Sequence, residues 1–294
     1  MKDLKINELE DKYISHILNI DFEDKSLIDR FIILLNTKDI SARYKLWQNF
    51  TIYLKNIKEV HKFSNPYYIG FGNPNSDILF VGKEKGFNIV DDPNLFLYES
   101  IDNILQWELI DKSTGSPIDY KFYPDSDFNP IFPRLHHHGK FSKRHTWGIY
   151  SQIISILKGL NHNSLINETR NYEDSLFKHS FMTEINFIPS KYSEGNVKIS
   201  NGRKQFLSSD FFRSFRYVII GAKGYLELAD VENIFDAKVI LTNKTISTVG
   251  KIKERSIKID VFESANQKIL LCSQLSGASG WSNEAIHNLV EELR

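Results

Sequence analysis

Four consecutive apolar residues, Ile78-Leu79-Phe80-Val81, are the sharpest feature of the hydrophobic pattern. A run without polar alternation suits a strand buried on both faces of a parallel sheet. From Asp77 onward such runs alternate with helical stretches, the signature of a mainly parallel sheet. The pattern predicts strands over 78–82, 181–188, 216–221, 238–242 and 268–273, with 257–262 as an added edge. It predicts helices over 97–109, 146–158, 203–212, 223–228 and 282–293. In the last, Ser282 caps, Glu284 favours the first turn, and Ile286, Leu289, Val290 and Leu293 share one apolar face.

Upstream, the chain reads as wholly helical to about residue 63. Leu9, Tyr13, Ile17 and Ile20 form one stripe. Leu27 to Leu35 form a second, opened by Ser26 as N-cap with Asp29 three positions on. Tyr44, Trp47, Tyr53, Leu54 and Ile57 form a third. Ser64-Asn65-Pro66 then breaks the pattern. This divides the chain into a helical N-terminal extension, 1–64, and an α/β domain, 65–294.

Composition narrows the function classes. With 41% hydrophobic and 25% charged residues the chain is ordinary globular protein. Lys plus Arg (37) balances Asp plus Glu (37), so a nucleic-acid partner would have to be met by a local patch. The single cysteine, Cys272, excludes an internal disulfide and a cysteine-ligated zinc or iron–sulfur centre. The first residues lack the apolar core of a signal peptide, and no run reaches the ~18 apolar residues of a membrane span. A soluble cytoplasmic protein is expected.

Candidate chemistry gathers at predicted strand ends, where ligands of open α/β sheets sit. After the first strand comes Gly82-Lys83-Glu84-Lys85-Gly86-Phe87, whose glycines permit tight backbone angles and close approach of a substrate. Asn186 closes the second strand, and Gly221-Ala222-Lys223-Gly224 follows the third. The last strand runs into Ser273-Gln274-Leu275-Ser276-Gly277-Ala278-Ser279-Gly280-Trp281, a hydroxyl-rich loop suited to gripping a phosphate backbone. The segment Arg134–His145 carries eight basic or imidazole side chains and no acid. It reads either as a phosphate-contacting loop or as a solvated charge run. Metal binding by His136, His137 and His138 is disfavoured, because adjacent residues point apart. The plain alternatives for the other residues are a solvated ion pair at Glu84 and a buried structural amide at Asn186.

The order of these pieces resembles the uracil-DNA glycosylase superfamily. In that family a strand ends in a Gly-x-Asp-Pro or Gly-Glu-Ala-Pro-Gly turn, a later strand ends in a base-reading Asn, and the last strand leads to a His-Pro-Ser or Asn-Pro-Ser loop. Here Gly82 to Gly86 is similar to the first, Asn186 to the second and Ser273-Gln274-Leu275-Ser276 to the third. The turn lacks its Pro, and Leu271 stands where many members carry a catalytic His. The likeness covers about Asp77 to Trp281.

The resemblance implies a three-layer α/β/α sandwich around a central, mainly parallel sheet, and hydrolysis of the N-glycosidic bond of a deaminated, damaged or modified base in DNA. Such a reaction leaves an oxocarbenium-like sugar and an anionic base, so opposite charges must be stabilised on two sides of one bond. Glu84 would orient water, and Asn186 would read the base after it is turned out of the stack. Phe87 would stack on it, with Phe132 and Trp147 behind, and Gly82 would allow its approach. Ser273, Gln274, Ser276, Gly277, Ser279, Lys140, Lys143 and Arg144 would hold the strand. No metal or organic cofactor is implied, and the helical extension is left to contact another protein. Two rivals remain: a catalytically inactive reader of unusual DNA, favoured by Leu271, and a hydrolase of free nucleosides or nucleotides.

Overall fold

The structure, a computed structural model, describes residues 4–54, 57, 59–133, 146–166, 171–190, 198–248, 255–276, 279 and 281–294. The N-terminal segment forms helices α1 (Ile6–Leu18), α2 (Lys25–Asn36) and α3 (Ile40–Leu54). Strand β1 (Phe71–Gly72) and strand β2 (Ile78–Gly82) follow. Helices α4 (Pro93–Phe96) and α5 (Asn103–Lys112) are joined by a π-helical turn over Leu97–Ile101. Next come α6 (Thr146–Lys158), α7 (His162–Leu165), α8 (Leu176–His179) and β3 (Phe181–Glu184). The remainder comprises α9 (Asn201–Leu207), α10 (Asp210–Arg213), β4 (Tyr217–Ile220), α11 (Leu228–Phe235), β5 (Lys238–Thr248), β6 (Arg255–Glu263), β7 (Lys268–Leu271) and α12 (Asn283–Glu291).

The seven strands among the described residues form one sheet in the order β1-β3-β2-β4-β7-β6-β5. Its middle, β3-β2-β4-β7, is parallel, while β1, β6 and β5 are added antiparallel. Because strand side chains alternate between faces, Leu79, Val81, Val218, Ile220, Ile269 and Leu271 enter one buried cluster with residues of α1, α2, α3, α5 and α11. Ile78, Phe80, Ile219 and Leu270 enter another with residues of α6 and α12. The helical N-terminal segment therefore shares its core with the sheet.

Several expected boundaries shift for identifiable reasons. The strand expected over 181–188 ends at Glu184, because Asn186 Oδ1 accepts from Ile188 N at 3.1 Å and turns the chain. Residues 257–262 are not an edge: β6 lies between β7 and β5, and β5 extends to Thr248 as the true edge. The helix expected over 223–228 starts only at Leu228, where Glu227 and Asp230 cap one another reciprocally. The helix expected over 203–212 splits at Ser208, whose hydroxyl donates back to Lys204 O at 2.8 Å. Asp24, not Ser26, caps α2, accepting from Ser26 N at 2.9 Å. Ser282 does cap α12, accepting from Ala285 N at 3.1 Å.

A buried polar cluster fixes the N-terminal segment, and a glycine fixes the linker. Arg43, 1% exposed, donates to Asp102 Oδ1 at 2.6 Å, Glu10 Oε1 at 3.1 Å and Leu35 O at 2.9 Å. Tyr123 Oη donates to the other Asp102 oxygen at 2.9 Å. At the linker, Gly70 adopts φ 133°, and a Cβ there would lie 2.1 Å from Met182 O. Gly70→Ala is expected to destabilise the protein by about 2 kcal/mol or more, since the added carbon meets strand backbone that cannot yield. Urea unfolding checks this through a lowered midpoint at unchanged slope.

Candidate functional site

The parallel core sets the stage. In chain order its strands lie 2-1-3-4, so the crossovers after β2 and β3 run in opposite directions. The crevice such a reversal leaves at the carboxyl ends of the strands is where ligands bind. A cavity of about 290 Å³ opens there, lined by Glu84, Lys85 and Phe87 from the turn after β2, Glu184 from the end of β3, and Gln274 from the loop after β7. This volume falls near the lower end of the ~300–1,000 Å³ range of small-molecule sites. Trp147 and Tyr150 of α6 form an aromatic wall, and Tyr150 stacks on Phe80 of β2 at 3.9 Å between ring centroids.

Three acidic residues and one lysine line the same cavity: Glu84, Glu99, Glu184 and Lys85. Glu99 arrives on the π-helical turn, a local widening that re-aims side chains and recurs at functional sites. Arg203 fixes the end of β3. Its buried guanidinium donates to Glu184 O at 2.7 Å, Thr183 Oγ1 at 2.8 Å and Tyr68 O at 2.6 Å. Lys85, 5% exposed, places Nζ 3.1 Å from the centroid of the Tyr68 ring. Among the described residues neither Lys85 Nζ nor Glu184 Oε2 has a hydrogen-bond partner.

Burial and mutual charge shift these groups. Burial pushes Glu99 up to about 7, with Lys85 pulling it down and Glu184 adding to the rise. Burial also raises Glu184, against Lys85 and Arg203. Burial lowers Lys85 to about 8, against the two glutamates. Folded Glu99 thus keeps a proton between pH 4.5 and about 7 that its unfolded counterpart has released. Its stabilising contribution is full below pH 4.5 and is lost as pH rises through about 7, and Glu184 acts with the same sign. Lys85 acts oppositely, as pH falls from 10.5 through about 8, outside that window. Between about pH 5 and about pH 7.5, Glu99→Gln is expected to flatten the fall of the melting temperature with pH. An unchanged slope in calorimetric melts would contradict the shift.

The structure brings together Glu84, Phe87, Gln274 and Trp147 of the sequence candidates. It sets Asn186 just outside: its N donates to Lys83 O at 2.7 Å, and its carboxamide oxygen is turned to Ile188 N. Neither Gly82 nor Gly86 is in the left-handed region; Gly82 instead leaves room beside Glu184, whose Oε1 would lie 3.4 Å from an added Cβ. Ser273 does not line the cavity, and Ser276 and Ser279 pair with each other at 3.2 Å. Phe132 is a core residue between Tyr172 and Phe177. Leu271 is 1% exposed and packs in the core with Ile220, so its side chain does not stand at the cavity. Lys140, Lys143, Arg144, Gly277 and His136 to His138 lie outside the described residues.

Sequence reasoning did not single out Lys85, Glu99 and Glu184. Glu184 carried a signal, an acid directly after the apolar Phe181-Met182-Thr183 run. Glu99 carried none, because a π-helical turn has no periodicity of its own. Among the described residues no three His, Cys, Asp or Glu side chains are grouped to hold a metal ion. No described helix is long and apolar enough to cross a membrane. Compared with known families, curated proteins and solved structures, the chain matches none.

Proposed function

We propose that the chain is an N-glycosyl hydrolase that releases a deaminated, damaged or modified base from DNA, built on an α/β/α sandwich of the uracil-DNA glycosylase type. The observation that carries this reading is the meeting of Glu84, Phe87 and Gln274 in one cavity at the carboxyl ends of the parallel strands. These residues come from two of the motifs on which the resemblance rests, far apart in sequence.

In this reading Glu84 accepts a proton from water beside C1′ and its charge offsets the developing oxocarbenium ion. Phe87, 5% exposed and facing the cavity, covers one face of the extruded base. Gln274 supplies the carboxamide that pairs with the base edge, while Asn186 shapes the turn beneath it. Trp147 and Tyr150 add aromatic lining that excludes water.

The test is incubation with oligonucleotides bearing uracil, hypoxanthine or bulky modified pyrimidines, followed by alkaline cleavage at abasic sites. Products with the native chain, formed at least ~100-fold more slowly with Glu84→Gln, support the reading. Tight binding of such DNA without products by the native chain would instead indicate a reader, and would end the enzymatic claim.

A further inference from the structure

We propose that Lys85 is a carbonyl-condensing amine that forms an imine with the C1′ aldehyde of an abasic sugar, giving the cavity a second, strand-nicking activity. The proposal rests on the base-release reading in that it consumes that reaction's product. What points to it is the setting of one side chain. A primary amine is buried in a ligand-sized cavity, lies against the face of Tyr68, and has no hydrogen-bond partner among the described residues. A purely structural lysine at such depth is normally ion-paired or hydrogen-bonded. Neither Glu99 nor Glu184 is within ion-pair distance of it, although both line the same cavity and shift its charge equilibrium. Lys85 and both glutamates line the cavity, with Nζ itself held against the Tyr68 ring.

Desolvation is what turns a lysine into a nucleophile, because only the neutral amine attacks. Burial holds Lys85 down to about 8, so a useful fraction is neutral near pH 7, and Arg203 adds to the lowering. The flexible four-carbon stem lets Nζ leave the Tyr68 ring for a sugar bound beside Glu84. The chemistry also needs proton relays, and Glu99 at about 7 and Glu184, likewise raised, are suited to that.

The step balances without an oxidant or reductant. The amine adds to the aldehyde carbon, its two protons pass to the carbonyl oxygen by way of Glu99, and that oxygen leaves as water as the C=N bond forms. Protonation of the imine nitrogen acidifies C2′. Glu184 takes the C2′ proton, the C3′–O bond breaks with its electron pair, and the 3′-side strand leaves as a phosphate monoester. Water then hydrolyses the imine and restores the amine.

The test uses an oligonucleotide with a preformed abasic site, so that it does not depend on base release. The full chain is mixed with it and treated with sodium borohydride, which reduces an imine to a stable amine linkage. The expected result is a protein–DNA adduct that is lost in Lys85→Arg, which keeps the cation but not the primary amine, and retained in Lys83→Gln. Equal melting temperatures of Lys85→Arg and the native chain show that the loss is chemical. No adduct with the native chain, or equal trapping by Lys85→Arg, overturns the proposal. Base release without trapping removes this proposal alone, whereas trapping without base release removes the hydrolase reading alone.

Discussion

Glu84→Gln should lower base release by about 10²–10⁴-fold, the range lost when a positioned general base is removed. The substitution keeps the size and planarity of the side chain, so the cavity between Phe87, Trp147 and Gln274 keeps its shape. On the proposed reading, what disappears is the ability to take a proton from water and to oppose a growing positive charge at the sugar. Those interactions strengthen only in the transition state, so kcat should fall while KM stays nearly constant. A tenfold change corresponds to about 1.4 kcal/mol, and the expected loss is therefore about 3–5 kcal/mol of transition-state stabilisation. Steady-state kinetics separates the two parameters. A raised KM at unchanged kcat would mean that Glu84 only holds substrate.

Arg43→Met should destabilise the folded chain by about 3–5 kcal/mol, the cost of breaking a buried ion pair by removing one partner. Arg43 neutralises two buried acids at once, Glu10 at 3% exposure and Asp102 at 0%. Without it Glu10 keeps Lys38, but among the described residues the Asp102 carboxylate keeps only the Tyr123 hydroxyl. Burial already raises the Asp102 carboxyl above its ordinary value even with Arg43 present, and removing the guanidinium takes away the largest influence that opposes this rise. The cluster ties α1 and α3 to the start of α5, which means the loss is also one of tertiary attachment. Urea denaturation reads the change directly. A shift under about 1 kcal/mol would show that the acids find new partners, as exposed pairs do.

How much of this was legible in the sequence depended on which physical rule governed each position. The run Ile78–Val81 announced a doubly buried strand because both faces must be apolar, and all of its residues are at 0% exposure. Ser282 announced a helix start because a hydroxyl must satisfy a free N–H there. The β5–β6 pairing was hidden, since antiparallel partners that meet across a register shift leave no local mark. Arg43 was hidden for another reason: a charged residue inside an apolar stripe looks like an interruption until its acids arrive from elsewhere in the chain.

The candidate site divides in the same way. Glu84 and Phe87 were visible because a glycine-flanked turn follows a buried strand. Asn186 attracted attention by residue type, yet its carboxamide oxygen serves the turn it sits in. Lys85 stood one position from Glu84 and read as an ordinary solvated charge. Its side chain lies against Tyr68, whose carbonyl Arg203 holds, and both reach this place only through the fold. Glu99 depends on a π-helical turn, which shifts its register relative to the flanking helices.

The most direct check is a single-turnover measurement of free base and abasic strand, with excess protein over oligonucleotide, comparing the native chain with Glu84→Gln. The native chain should release base and the variant should release it at least ~100-fold more slowly while melting at the same temperature. Equal rates from the two proteins would show that water is not activated at this turn, and the glycosidic mechanism assigned to the cavity would be contradicted.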